Sequence, residues 1–161
     1  MVSLVVIVIM GLGMNLITFS LFGDNPLYCQ GAVENANIAR VIYPEWTPRF
    51  YVAQDVPEHY IEEIEGYGAE VVRCEKKNSY DGLNWRFRPL NEPDVEYWIS
   101  RDADSRLSWR ERNAVDEWIE SDKSAHLLRD CHNHGFTIMA GMFGINNKLF
   151  HKRYGMINLD N

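Results

Sequence analysis

The sequence is poor in the features that take a chain out of the ordinary globular class. Cysteine is scarce: Cys29, Cys74 and Cys131 are three in 161 residues, far apart and without a CxxC pair. That pattern supports neither a disulfide framework nor a zinc ribbon, and a reducing, cytoplasmic compartment is the expectation. Proline is limited to six residues, and no internal repeat or low-complexity tract interrupts the chain, which excludes disorder, collagen and repeat arrays. Positive charge is in deficit, with 16 Lys and Arg against 23 Asp and Glu and a net charge of −7. No basic residues gather into a stripe that would track a phosphate backbone, so nucleic acid is not an expected partner. What is present, 46% hydrophobic and 24% charged residues, suffices to bury the core of one domain.

Long apolar runs are confined to the N-terminus. Val2 to Phe22 is nearly continuous, broken by Ser3, Gly11, Gly13, Asn15, Thr18 and Ser20, and is long enough to span a bilayer. No Lys or Arg precedes it as a signal-peptide n-region requires, and its second half alternates like a strand. A membrane anchor is therefore not expected. Residues 1–14 are read as an apolar N-terminal extension or the start of the first strand, with the folded domain over 15–161.

Hydrophobic periodicity then alternates between strand and helix. Leu16 to Phe22 reads as a strand ended by Gly23-Asp24-Asn25-Pro26, where Asn25 caps a helix and Pro26 suits its first position. That helix carries Cys29, Ala32, Val33, Ala36 and Ala39 as a small-residue stripe and stops near Pro44. Arg49 to Gln54 is a second strand. Asp55 is expected to cap a helix with Tyr60, Ile61 and Ile64 on one face, closed by Gly66 and Gly68. Ala69 to Cys74 is a third strand and Val95 to Ser100 a fourth, after a polar and aromatic stretch. Ser108 and Glu111 have capping-box spacing before a helix that buries Val115, Trp118 and Ile119, and Phe136 to Met142 reads as a further strand. This order predicts an α/β fold with a mainly parallel mixed sheet flanked by helices, right-handed crossovers, and ligands at the carboxyl ends of the strands.

Asp102-Ala103-Asp104 follows directly on the fourth strand, so two carboxylates emerge at that edge. Hard divalent cations such as Mg²⁺ or Mn²⁺ take oxygen ligands, and one or two carboxylates commonly hold them while substrate phosphates and waters complete the shell. A DxD triplet also serves as a helix cap or a solvated turn, and its context is what singles it out. Arg101 and Arg106 flank it, and Trp85-Arg86-Phe87-Arg88 precedes it, basic groups suited to phosphate oxygens. Alternatively, Trp85 and Phe87 are core aromatics and the arginines pair with surface carboxylates, the better reading for Arg88.

The string Tyr97-Trp98-Ile99-Ser100-Arg101-Asp102-Ala103-Asp104-Ser105-Arg106-Leu107 continues through Trp109-Arg110-Glu111, Ala114-Val115, Glu117-Trp118, His126-Leu127-Leu128-Arg129-Asp130 and Ala140-Gly141-Met142-Phe143-Gly144. Together with Phe19-Ser20-Leu21-Phe22-Gly23-Asp24-Asn25-Pro26 and Arg49-Phe50-Tyr51-Val52, it resembles a GT-A type glycosyltransferase of the nucleotide-diphospho-sugar transferase superfamily, from a small group in bacteria and large DNA viruses. The resemblance implies hexosyl transfer from a UDP- or GDP-sugar to a glycan or other hydroxyl acceptor, with Mn²⁺ or Mg²⁺ held by Asp102 and Asp104. It also implies that Ser20, Leu21, Phe22 and Gly23 line the nucleobase and ribose pocket, that Arg86 approaches the phosphates, and that Asp102 also faces the ribose. Gly141 and Met142 would border the donor sugar. If transfer inverts the anomeric centre, a carboxylate takes the acceptor proton, and Asp130 is the matching residue; a salt bridge to Arg129 or a helix cap is its other reading.

Two departures from the group stand out. Asn133 and Phe143 replace its usual Pro and Trp, and relatives commonly run several tens of residues further, often supplying another metal-binding His or Asp. His151 is the candidate substitute, and a shortened domain that binds donor without efficient transfer is the alternative function. Zinc at Cys131-His132-Asn133-His134 with His126 is disfavoured, because neighbours this close do not all face one ion and no second cluster exists. A phosphohydrolase using a DxD nucleophile presents that pair after its first strand, not its fourth.

Overall fold

The computed structural model describes residues 13–78, 80–129 and 137–157. Elements alternate as β1 (Met14–Leu21), α1 (Pro26–Ile42), β2 (Thr47–Ala53), α2 (Glu58–Gly66), β3 (Glu70–Cys74), α3 (Asp81–Asn84), a 3₁₀ helix over Trp85–Asn91, β4 (Val95–Arg101), α4 (Trp109–Glu120), β5 (Ala125–Leu127), β6 (Met142–Asn146) and α5 (Asn147–Tyr154). They form one six-stranded sheet in the order β3-β2-β1-β4-β6-β5. The first four strands in that order run parallel, while β6 is antiparallel to both β4 and β5.

The alternation in β1 sets the two faces. Ile17, Phe19 and Leu21 join Phe50, Val52 and Ile99 in a core that buries the small stripe of α1 (Cys29, Ala32, Ala36, Ala39) together with Ile61, Ile64, Val115 and Trp118 from α2 and α4. Phe19 and Phe50 stack across β1 and β2 with ring centroids 4.5 Å apart. On the opposite face Leu16, Leu90, Val95, Trp98 and Ile145 form a second cluster, and Trp85 packs with Tyr51, Ala53 and Cys74 in a third. The aromatic stretch between β3 and β4 is therefore a lid on the sheet, with Trp85 and Leu90 buried.

Helix ends follow local chemistry at two of the expected positions. Asn25 Oδ1 accepts from Leu27 N at 3.0 Å, with Pro26 opening α1. Ser108 Oγ accepts from Glu111 N at 3.3 Å, but the Glu111 carboxylate pairs with Arg101 instead of returning to the cap. Asp55 is a correction: α2 starts after Pro57 with no side-chain cap, and the Asp55 carboxylate reaches across to Gly23 N, 2.8 Å, and Lys76 Nζ, 2.6 Å. Gly68, at φ +82°, supplies the left-handed turn that leads from α2 into β3.

The last expected strand is also displaced. Phe136 lies outside the described residues, 137–141 contain no strand, and β6 only begins at Met142. The apolar run there cannot continue a ladder because Met142 N turns back to Met139 O at 3.0 Å and Ala140 O accepts from Ser100 Oγ at 2.6 Å. Ile138 is left exposed. No helix among the described residues is long and apolar enough to cross a membrane.

Candidate functional site

The carboxyl ends of β1 and β4 open a cleft of about 500 Å³ whose wall includes Ser20, Leu21 and Phe22 on one side and Asp102, Ala103 and Asp104 on the other. Parallel strands that separate their crossovers on opposite sides leave such a crevice at their carboxyl ends.

The β1 side is built by a left-handed turn. Gly23 has φ +74°, a conformation that a side chain would strain, and the Asp55 carboxylate fixes its N–H. The Lys76 ammonium, and second the Gly23 N–H, hold the Asp55 carboxyl below the usual carboxylate range. Phe22 lies against Gly82, where an added Cβ would overlap its ring, and Lys76 Nζ stands 5.4 Å from the Phe22 centroid. Asn25 and Tyr28 place the first turn of α1 on the cleft wall, so the partial positive charge of a 17-residue helix is directed there.

Arg86 forms the floor. It is 7% exposed, and its backbone is tied to β1: its N–H donates to Ser20 Oγ at 3.2 Å and its carbonyl accepts from Thr18 Oγ1 at 2.9 Å. The guanidinium donates from one nitrogen to Arg101 O, 3.0 Å, and to the Asp102 carboxylate. Its Nε is buried with no partner among the described residues. Arg101 likewise has one carboxylate and a buried Nη2 with no partner among the described residues; what sets Arg86 apart is that it lines the cleft.

The acidic side is a turn closed by Ser105 N donating to Asp102 O at 3.2 Å. The Asp102 side chain is 43% exposed, and Asp104 is exposed. Gly141 packs so closely on Asp102 that a Cβ would overlap the carboxylate, and Met142 pairs in register with Arg101. Gly141 and Met142 thus reach the site through Asp102 and are not part of the cleft wall.

Other expected residues lie elsewhere. Arg101 does not flank the cleft; its guanidinium is buried on the helical face with Glu111. Arg106 turns to Glu34. Arg88 is an exposed residue, donating to Cys74 Sγ at 3.2 Å and lying 5.6 Å from the Tyr51 centroid. The His151 ring nitrogens lie 2.6 Å from Leu90 O and 3.2 Å from Gly155 O. Buried His126 stacks on Trp118 with centroids 5.3 Å apart. Asp130, Cys131, His132, Asn133 and His134 fall outside the described residues.

The sequence reading missed Tyr28, Leu83 and the residues of α1 beneath the acidic turn. Gly31 carried a signal, since glycine inside a helix costs about 1 kcal/mol relative to Ala and so implies a close approach. Asn35 carried another, as an amide on the buried side of the small-residue stripe.

The donor set at the acidic turn is all oxygen, which suits a hard divalent cation such as Mg²⁺ or Mn²⁺. Among the described residues no three His, Cys, Asp or Glu side chains converge, and one Asp102 oxygen is taken by Arg86. The two carboxylates therefore fit Mn²⁺ or Mg²⁺ only in the company of substrate phosphates and water.

No protein-family model matches the chain, and no curated protein sequence does. Solved structures do: the mannosyltransferase PcManGT from Pyrobaculum calidifontis, in complex with GDP-Man and Mn²⁺, superposes with a TM-score of 0.56 at 13% identity, covering 89% of this chain and 48% of that one. The 4-diphosphocytidyl-2C-methyl-D-erythritol synthase from Anaerococcus prevotii superposes with a TM-score of 0.51 at 11% identity, covering 92% and 79%. These likenesses show the fold alone, an α/β domain built on a mostly parallel mixed sheet. The chain spans about half the length of that mannosyltransferase.

Proposed function

We propose that the chain is a metal-dependent transferase that moves a sugar from a nucleotide diphosphate sugar, UDP- or GDP-linked, to the hydroxyl of a glycan or similar acceptor. The observation that carries this reading is the convergence on one cleft of the β1 turn, the α1 N-terminus, buried Arg86 and the Asp102–Asp104 pair. The likeness to PcManGT, whose structure holds GDP-Man and Mn²⁺, supports such a donor.

In this reading Ser20 to Gly23 border the base and ribose, while Arg86 and the α1 N-terminus face the diphosphate. Asp102 and Asp104 supply oxygen ligands to Mn²⁺ or Mg²⁺. When bound, the cation neutralises charge on the departing diphosphate. The protein's own part is placement: Arg86 is held by β1 and β4 before any ligand arrives, so its charge is preorganised where phosphate charge develops. Gly141 and Met142 lie next to Asp102, on the side assigned to the donor sugar. Asp130 is the base assigned to the acceptor hydroxyl proton.

A thermal-shift screen of UDP, GDP and their sugars with and without Mn²⁺ tests the donor half. Ligand at a hundredfold excess over Kd stabilises by about 2.7 kcal/mol, and Asp102→Ala/Asp104→Ala is expected to abolish the Mn²⁺-dependent part. Equal stabilisation in wild type and double variant refutes the metal role of the pair. The transfer half rests on Asp130→Asn, expected to keep donor affinity while transfer falls about a hundredfold, the scale of losing a general base. Full transfer by that variant with loss in His132→Ala moves the role to the histidine. Donor binding without transfer by the wild type favours a non-catalytic sugar-nucleotide-binding domain.

A further inference from the structure

We infer that Asn35 is a positioning residue for the acidic pair, locking the 102–107 turn to α1 so that Asp102 and Asp104 are presented to the cleft with the geometry a metal-bound diphosphate requires. The inference rests on the reading of the cleft given above and adds a residue that touches neither nucleotide nor metal.

Asn35 is 0% exposed, and all of its amide hydrogen bonds go to one turn distant in sequence. Nδ2 donates to Ala103 O at 3.3 Å and Ser105 O at 2.8 Å, and Oδ1 accepts from Leu107 N at 3.0 Å. A buried amide in a helix interior is costly unless its partners are present, and here the turn supplies all of them. Two residues on the same helix reinforce the contact. At Gly31 an added Cβ would overlap Ala103 O, so the helix and turn backbones meet directly. Glu34 pairs with Arg106, whose guanidinium donates to Ala103 O at 3.1 Å. Ala103, 4% exposed, is therefore pinned by its carbonyl between the two aspartates, and its neighbours' side chains are left facing outward on the cleft wall.

The other end of α1 carries Asn25 and Tyr28 on the same cleft. One rigid helix thus frames both halves, the β1 turn at its N-terminus and the acidic turn against its middle. Outer-shell partners that orient metal-binding carboxylates typically change metal affinity about 10–100-fold when removed.

The test compares Asn35→Ala and Asn35→Asp with Val33→Ala, a core truncation on the same helix that removes no hydrogen bond to the turn. Asn35→Asp keeps an acceptor for Leu107 N but loses both donors, and carries the same measurement if the Ala variant does not fold. Calorimetric affinities for UDP and GDP are measured with and without Mn²⁺, alongside thermal unfolding and amide hydrogen exchange of the 102–107 turn. The Asn35 variants are expected to lose about tenfold or more of the Mn²⁺-dependent gain in affinity, to speed exchange in the turn, and to leave metal-free affinity within about twofold. Val33→Ala is expected to lower the unfolding temperature and keep the full gain. A full gain in the Asn35 variants reduces Asn35 to packing and overturns the inference alone. A wild type with no Mn²⁺-dependent gain overturns the cleft reading itself, before any variant is compared.

Discussion

Two buried arginines lie on the same face of the sheet and are treated differently. Arg49, whose side chain is 11% exposed, donates from Nε to Glu70 at 2.6 Å and from one terminal nitrogen to both Glu92 oxygens, at 2.8 and 2.6 Å, with Met14 Sδ 3.6 Å from the other. Burial opposes its charge, but hydrogen bonds to Glu92, Tyr51 and Glu70 raise its pKa above the ordinary value. Arg86, whose side chain is 8% exposed, has one carboxylate, one carbonyl and an unpartnered Nε. The difference is one of pairing and place: two carboxylates neutralise Arg49, whereas Arg86 has one and lines the cleft. Toward the amino ends of the strands the charge is neutralised within the protein, whereas at the carboxyl ends it is left incompletely paired beside a cleft.

The comparison can be broken by exchanging the expected outcomes. The largest effect is on stability, from Arg49→Ala, where charge-assisted hydrogen bonds to two carboxylates are lost. Because Glu70 and Glu92 are 42% and 38% exposed and can hydrate, the expected cost is about 2 kcal/mol in urea unfolding, with nucleotide affinity unchanged. Next is Arg86→Ala, expected to weaken nucleoside diphosphate binding about tenfold, or 1.4 kcal/mol, while nucleoside binding changes less. If both variants weaken diphosphate binding equally, or Arg86→Ala weakens nucleoside binding as much as diphosphate, Arg86 is another structural cation.

The smallest effect sharpens the comparison on the opposite face, where Arg101 is sealed against Glu111. Burial, and second the Arg101 cation, push the pKa of His126 down to about 4 from an ordinary 6.5. The unfolded chain then takes up a proton that the folded chain refuses. Stability contributed by neutral His126 is complete above about pH 6.5 and falls as the pH drops from there toward 4. His126→Gln is expected to flatten the pH dependence of the unfolding temperature across that window. An unchanged slope would remove His126 from the account of acid sensitivity.

Much of the fold was legible because its signals are local. Asn25-Pro26 set the start of α1, Ser108 the start of α4, and the alternation of Ile17, Phe19 and Leu21 the buried face of β1. The position of Asp102 and Asp104 just after β4 was legible for the same reason. Asp55 misled because a carboxylate two residues before Pro57 has the spacing of a cap, while the nearby Gly23 N–H and Lys76 offered it better partners. The strand expected over Phe136 to Met142 misled because apolar residues in a turn beside Gly141 have the same composition as a strand.

What the sequence determined by itself was the succession of strands and helices, their caps and faces, and the edge at which the acidic pair emerges. Each of these depends on residues within a turn or two of one another, where periodicity and capping act. The tertiary structure alone decided that β6 runs antiparallel beside β4, that Arg86 rather than Arg101 or Arg106 meets Asp102, and that Asn35 holds Ala103 from 68 residues away. Nothing in local spacing selects among several arginines or assigns a buried amide its partner. That selection comes from the order in which the strands pack and from the requirement that each polar group carried into the interior find its complement there.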